Sequence, residues 1–285
     1  MKKNSLWIVL SFVLLTACGT TSHYPDKEET NQESTPSAPA ASEPSQSQSE
    51  EPNAPEEASS STSASIDVLV LYDKEVQESY ADVDARIQHL FAVSNNIYAD
   101  SRLNVEIHAK KILFYDAQSH PALEEVAENK EIHALRAKYK ADTVLIYQLN
   151  PDGEYGQCGI SYGATSYEKP EYFKEAMYSQ VEINCPTDTT AHEIGHNMGL
   201  LHSHRQDGEH PSPYSYGLGH GVQGKFATVM AYAYLFDTDR QIAKFSSPEY
   251  ECMAGEPCGI AVGQKGEAHA TKVIELIAPQ IAKLY

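Results

Sequence analysis

The spacing of hydrophobic positions in the last 220 residues changes several times, and each spacing predicts one kind of element. Residues 66–72 form an almost continuous apolar run, which is typical of a strand buried on both faces. Within 82–101, apolar side chains recur every three or four positions, which predicts a helix. A strand at 105–114, a charged helix at 121–139 and a strand at 143–147 are predicted to follow. This order favours right-handed crossovers and a mostly parallel sheet, hence an α/β or α+β fold.

Two shorter strands are predicted next, at residues 156–163 and 177–183, and the glycine content of the first suits a sheet edge. A helix follows them and carries the segment H-E-I-G-H-N-M-G-L-L-H at residues 192–202. The histidines could be surface or core residues of an ordinary amphipathic helix. The extended eleven-residue spacing disfavours that alternative, whereas the first five residues alone would be only suggestive.

The spacing of this segment suits a metal ion held by three histidines. His192 and His196 lie one turn apart on the same helix face, so both imidazoles can reach one ion. Gly199 has no Cβ, and the chain can leave the helix there with positive φ and bring His202 round as the third ligand. Three imidazoles leave one position open on zinc, as in catalytic sites. Glu193 projects beside them and is the expected general base for a metal-activated water.

The eleven-residue pattern resembles the zinc motif of the metzincin metallopeptidases, which is followed downstream by a methionine-containing turn beneath the metal. The pentapeptide T-V-M-A-Y resembles that turn, and its Met230 lies 28 residues after His202. In several metzincin families a tyrosine at this offset hydrogen-bonds the zinc or the oxyanion. The resemblance therefore implies Tyr232 as a catalytic candidate, with a buried structural tyrosine as the alternative. It also implies a twisted mixed sheet over the active-site helix, and a small C-terminal subdomain ending in a helix near 267–284.

Weaker segments at 213–217, 244–248 and 276–279 resemble the bacterial reprolysin-like group that includes the peptidyl-Asp metallopeptidases. One position departs from that group. Ser203 follows the third histidine, where Asp is common in reprolysin-like groups and Ser is usual in matrixins. The resemblance covers roughly residues 66–285 and implies a zinc metallopeptidase domain there.

The net charge of −19, from 40 acidic and 21 basic side chains, argues against a nucleic-acid partner. Both the region 19–65 and the region 66–285 are acidic, so neither offers the basic surface that phosphate binding needs. Residues 19–65 contain twelve Ser and six Pro and no aliphatic side chain larger than Ala, which predicts a disordered acidic tether. One folded domain, 66–285, is expected, and we expect it to be a monomer.

The N-terminal residues 1–18 are typical of an export signal. Two lysines precede an apolar run at 6–15 that is too short to span a bilayer and ends in L-T-A-C. The tetrapeptide resembles the bacterial lipobox, which implies acylation of Cys18 and attachment to a lipid bilayer at the cell envelope, on the cell surface or facing the periplasm. The alternative is an ordinary signal peptide with an incidental cysteine.

The four cysteines other than Cys18 are expected to form disulfides, because an exported protein meets an oxidising compartment. Three connectivities are possible. Cys252 and Cys258 bracket a short loop with glycine and proline, which favours that pair and leaves Cys158 with Cys185. Free thiols are the alternative.

Polar side chains crowd the region after the zinc motif and could bind a second cation, although a polar loop is the favoured interpretation. They are His204, Asp207, Glu209, His210 and His220.

The function predicted from these features is that of a zinc-dependent endopeptidase acting on extracellular or periplasmic proteins. A protein or peptide substrate would lie extended and pair as an antiparallel strand, beside residues 160–162. One alternative is a catalytically inactive zinc-binding lipoprotein that recognises a partner peptide, which Glu193 disfavours because metal binding does not need that acid. Hydrolysis of a non-peptide amide at the envelope is a second alternative.

Overall fold

A computed structural model of the 285-residue chain describes residues 8–10, 63–116, 121–149, 158–163, 174–207 and 214–285. By their contacts, the described residues belong to one unit. Cys18 and nearly all of the predicted tether lie outside the described residues. The first strand of the domain begins at Ala64, two residues earlier than expected.

The unit that contains the domain is built from short helices and strands, which we number in chain order. They are β1 (Ile8–Leu10), β2 (Ala64–Tyr72), α1 (Lys74–Ser79), α2 (Val83–Asp100), β3 (Val105–Phe114), α3 (Leu123–Glu128), α4 (Lys130–Tyr139), β4 (Thr143–Gln148), β5 (Gly159–Tyr162), β6 (Tyr178–Glu182), α5 (Thr189–Asn197), α6 (His204–Asp207), β7 (Gly221–Val222), β8 (Phe226–Thr228), a 3-10 helix (Ala233–Phe236), β9 (Gln241–Ile242), β10 (Glu251–Met253), β11 (Glu256–Pro257) and α7 (Ala270–Ile281).

The main sheet has six strands in the order β1-β5-β6-β4-β2-β3. Strands β3, β2, β4 and β6 run parallel, and helices connect β2 to β3 and β3 to β4, as the alternation of spacings predicts. Strand β5 pairs antiparallel with β6, and β1 pairs antiparallel with the other edge of β5. The sheet is therefore mixed, which confirms the fold class.

The two helical regions before β4 show how far local spacing determines structure. Helix α2 begins at an Asp82 cap and buries one face, including Ile87, Leu90 and Ile97, as its period predicts. The single helix expected at 121–139 is instead two helices. Asn129 leaves the helical region of the backbone, and its side chain accepts from the amides of Glu131 and Ile132 and starts α4.

The region after α5 contains two small sheets, β7-β8-β9 and β10-β11, followed by the C-terminal helix α7. Helix α7 lies within the range expected from the resemblance and packs its buried face against β2. Both expected disulfides are present. Cys158–Cys185 joins the start of β5 to the segment before α5, and Cys252–Cys258 closes a short loop.

No helix in the described part of the chain is both long enough and apolar enough to cross a membrane.

Candidate metal and catalytic site

Helix α5 carries the first half of the histidine motif and is buried along its whole length. Asn197, its last residue, holds it against the sheet. The Asn197 Nδ2 atom donates to the carbonyls of Tyr162 and Ala176, at 2.7 and 3.0 Å, while Oδ1 accepts from Ser179 Oγ at 2.8 Å. These bonds connect the end of α5 to β5, to β6 and to Ala176, which lies just before β6. The buried amide of Asn197 thereby finds its partners inside the core, and its bonds fix the position of the helix that carries His192 and His196 relative to the sheet.

The turn after α5 brings the third histidine back towards the first two. Gly199 has a φ of 86°, in the region that favours glycine, as the motif predicts. The chain reverses there, and His202 is fully buried beside His192 and His196.

The three imidazoles converge through their Nε2 atoms, which lie 3.1 to 3.2 Å from one another. In His192 and His196, the other ring nitrogen lies beside a backbone carbonyl oxygen. His192 Nδ1 lies 2.8 Å from the carbonyl oxygen of Val229, and His196 Nδ1 lies 2.8 Å from that of Leu200. Since a carbonyl can only accept, both Nδ1 atoms carry the proton and both Nε2 atoms present a bare lone pair.

Lone pairs that point at one another from such short distances repel, unless a cation lies between them. Tetrahedral zinc with bonds of about 2.0 to 2.1 Å holds its nitrogen ligands about 3.3 Å apart, close to the observed spacing. Burial and the neighbouring histidines hold the pKa of His196 well below its usual value of 6.5, so this imidazole is neutral, as a ligand must be. The residues present therefore fit a zinc ion with one position left open.

His202 has a partner that the sequence pattern does not reveal. Gln206 Nε2 lies 3.1 Å from His202 Nδ1, and Gln206 Oε1 is buried with no partner among the described residues. Rotating the amide by 180° exchanges the two atoms and gives a protonated Nδ1 an acceptor. Gln206 lies four residues after His202 in the short helix α6, and only that helix brings it within reach.

Glu193 follows the first histidine and is 1% exposed. Ser161 Oγ, in β5, lies 2.6 Å from its Oε2 atom. Burial raises the pKa of Glu193 to about 8, while the hydrogen bond from Ser161 lowers it. A cation at the three Nε2 atoms would favour the ionised carboxylate, because opposite charges attract strongly in a buried site. In the metal-free protein this carboxyl therefore holds a proton near neutral pH, and a bound cation would favour the carboxylate, which is the form that accepts a proton.

Met230 and Tyr232 lie next to the histidine cluster. Met230 is fully buried beneath α5, where its Sδ atom would come within 2.9 Å of a Cβ at Gly195. The hydroxyl of Tyr232 lies 3.3 Å from His202 Nε2, and its ring stacks near that of His192 at a centroid distance of 5.9 Å. The hydroxyl therefore faces the nitrogen atoms that fit the metal.

The second cation hypothesis finds no support in the described residues. The three motif histidines form the one group of metal-ligating side chains found there. His210 and Glu209 lie outside the described residues, while His220 packs against Phe226 and its pKa is lowered by burial.

A mixed sheet, an active-site helix and converging imidazoles beside a buried carboxylate define a metallopeptidase. The family described as metallo-peptidase family M12B, reprolysin-like, matches residues 62–263. The chain belongs to this family, which confirms the resemblance drawn from its motifs. Acylation of Cys18 is a separate matter and remains a prediction.

One curated relative and one solved structure show the extent of the similarity. The chain is 32% identical over 242 residues to the peptidyl-Asp metalloendopeptidase of Pseudomonas aeruginosa, a match that covers 76% of this chain and 40% of that protein. A solved structure of a chaperone–substrate complex contains a chain with a TM-score of 0.59 and 22% identity, covering 78% of this chain and 35% of that one. The latter likeness shows the fold alone. The present chain thus spans about two fifths of the length of the curated relative.

Proposed function

We propose that this chain is a zinc-dependent endopeptidase of the metzincin type that hydrolyses peptide bonds of exported proteins at a bacterial cell envelope. The observation that carries the proposal is the fully buried carboxyl of Glu193, which directly follows a histidine of the metal cluster. A site built only to hold zinc would not need this acid, because burying an ionisable group costs free energy.

The chemistry divides between the metal and the side chains. Zinc at the three Nε2 atoms would polarise the scissile carbonyl and lower the pKa of a water molecule towards about 7. Glu193 takes a proton from the attacking water and then delivers it to the leaving amine. Tyr232, whose hydroxyl is 3.3 Å from His202 Nε2, donates to the carbonyl oxygen as that oxygen gains negative charge.

The substrate is proposed to lie along the outer edge of β5. That edge accepts an antiparallel strand from the same chain, with Ile8 opposite Tyr162 and Leu10 opposite Ile160. Because backbone hydrogen bonds do not depend on side-chain identity, an extended substrate segment can use the same edge once the leader is removed. This arrangement supports hydrolysis of peptides, whose backbone offers the matching donors and acceptors, over a non-peptide amide.

The location of the enzyme is proposed from its N-terminus. Export is followed by acylation of Cys18, and residues 19–65 act as a tether between the lipid and the catalytic domain. The name of the Pseudomonas aeruginosa relative indicates peptidyl-Asp cleavage by that protein. We propose the same preference as the first specificity to test in this chain.

A peptide library tests the activity directly. The purified protein is incubated with proteome-derived peptides, with and without a chelator, and cleavage sites are read by mass spectrometry. We expect chelator-sensitive cleavage, restored by zinc. In Glu193→Gln, which keeps the shape of the side chain but removes the base, kcat should fall by roughly a hundred- to ten-thousandfold with zinc retained. Near wild-type turnover in this variant, or cleavage that ignores the chelator, would refute the proposal.

A further inference from the structure

We propose that Ser161 in β5 is a positioning residue for the carboxylate of Glu193, and that its hydroxyl sets the direction in which this base faces the substrate. The inference rests on the proposed role of Glu193 as the proton acceptor. It adds a residue that lies 32 positions before that glutamate and outside the histidine motif.

The contact is direct and shielded from solvent. Ser161 Oγ lies 2.6 Å from Glu193 Oε2, and the two side chains are 0% and 1% exposed. An ionised carboxylate can only accept, so the single hydroxyl proton of Ser161 is donated to it. Hydrogen bonds to charged groups are short and strong, particularly where water does not compete. One oxygen of the base is therefore held in place, and the other is left for the reacting proton.

Gly159 provides the space for this carboxylate on the same face of β5, since alternate residues of a strand face the same side. A Cβ at Gly159 would lie 2.6 Å from both Cγ and Cδ of Glu193, closer than non-bonded carbon atoms approach. The inner face of β5 thus offers a glycine that leaves room for the glutamate side chain and a serine that binds it. This is an independent observation that the strand is shaped around Glu193.

A second buried hydroxyl, that of Ser179, lies beside Ser161. Ser179 lies directly opposite Ser161 on β6, and their Oγ atoms are 3.0 Å apart. Ser179 Oγ in turn lies 2.8 Å from Asn197 Oδ1, at the end of the active-site helix. Ser179 donates its single proton to Asn197, as Ser161 does to Glu193, so the two hydroxyls lie in contact without a hydrogen bond between them. Because β5 is also the strand beside which the substrate is proposed to lie, one strand aligns both the base and the peptide.

A positioning role predicts a loss in kcat, with the binding of substrate and metal retained. Ser161→Ala should lower kcat about ten- to hundredfold, the factor that corresponds to one buried hydrogen bond to a charged group. KM and zinc affinity, the latter measured by chelator competition, should change less than about twofold. Ser161→Thr keeps the hydroxyl and should recover most of the lost kcat. Gly159→Ala places a methyl group where the glutamate lies and should lower kcat by a separate route.

The matched control is Ser94→Ala, which deletes an equally buried hydroxyl that bonds to Leu90 O within α2. It should keep the parent kcat. A double-variant cycle then tests whether Ser161 acts through Glu193. In the Glu193→Gln background, Ser161→Ala should cause no further loss, whereas independent effects would multiply.

Each outcome decides the matter. A parent-like kcat in Ser161→Ala, together with a strongly impaired Glu193→Gln, overturns the positioning role and leaves the proposed function intact. A fully active Glu193→Gln overturns the proposed function itself. Multiplicative losses in the double variant, or a kcat loss in Ser161→Ala matched by an equal loss of bound zinc, also overturn the positioning role.

Discussion

The buried carboxyl of Glu193 should make the metal-free protein less stable as pH rises, and Glu193→Gln should abolish this dependence. Burial raises the pKa of the folded protein's carboxyl from 4.5 to about 8. In the unfolded chain the carboxyl is solvated, and its pKa returns to 4.5. Between the two values the folded state holds a proton that the unfolded state has lost. Raising the pH through this window therefore lowers the free energy of unfolding. Below about pH 4.5 this penalty on stability is absent, because the carboxyl is protonated in both states.

The magnitude follows from the width of the window. Each pKa unit corresponds to about 1.4 kcal/mol, so the penalty grows by about 2 to 3 kcal/mol between pH 5 and pH 7, as an upper estimate. Glutamine does not titrate. The stability of Glu193→Gln relative to the parent protein should therefore rise by this amount over the same interval, while contributions from all other groups cancel.

Urea unfolding followed by circular dichroism, with excess chelator at several pH values, measures this difference. Glu78→Gln makes the same chemical change at an exposed position of α1 and provides the control. Added zinc should shrink the difference, because the cation favours the ionised carboxylate. Parallel stability curves for the parent and Glu193→Gln in the metal-free state would show that the carboxyl is not desolvated, and would refute the reasoning.

Two further predictions concern Tyr232 and Cys18. Tyr232→Phe deletes only a hydroxyl near the metal-facing nitrogens, and kcat should fall roughly a hundred- to a thousandfold with zinc retained if that hydroxyl stabilises the oxyanion. Unchanged steady-state kinetics would leave this tyrosine a structural role. Cys18→Ala should abolish acylation and move the protein from the membrane pellet to the soluble exported fraction or leave an uncleaved precursor. Mass spectrometry of the wild-type protein that finds an unmodified N-terminus at another residue would contradict this prediction.

Local rules were sufficient for the elements whose signals lie within a few residues of one another. The period of α2 and the apolar run of β2 were visible in the sequence. A helix that buries one face repeats its apolar residues every three or four positions, and a strand that buries both faces is apolar at nearly every position. The metal cluster was visible for the same reason. His192 and His196 share a helix face, and Gly199 supplies the positive φ that returns the chain. The split at Asn129 was missed, because an apolar period can continue across a capping residue that interrupts the helix.

Contacts between distant segments required the tertiary structure. No local spacing relates Ser161 to Glu193, or Val229 to His192, yet these pairs orient the base and the first ligand. They meet because β5 pairs antiparallel with β6 under α5, and because the methionine turn returns beneath that helix. The sequence by itself thus determined which side chains can bind a metal and move a proton. Only the packing of sheet, helix and turn decided which hydroxyl and carbonyl groups hold them, because such partners depend on where distant backbone segments come together.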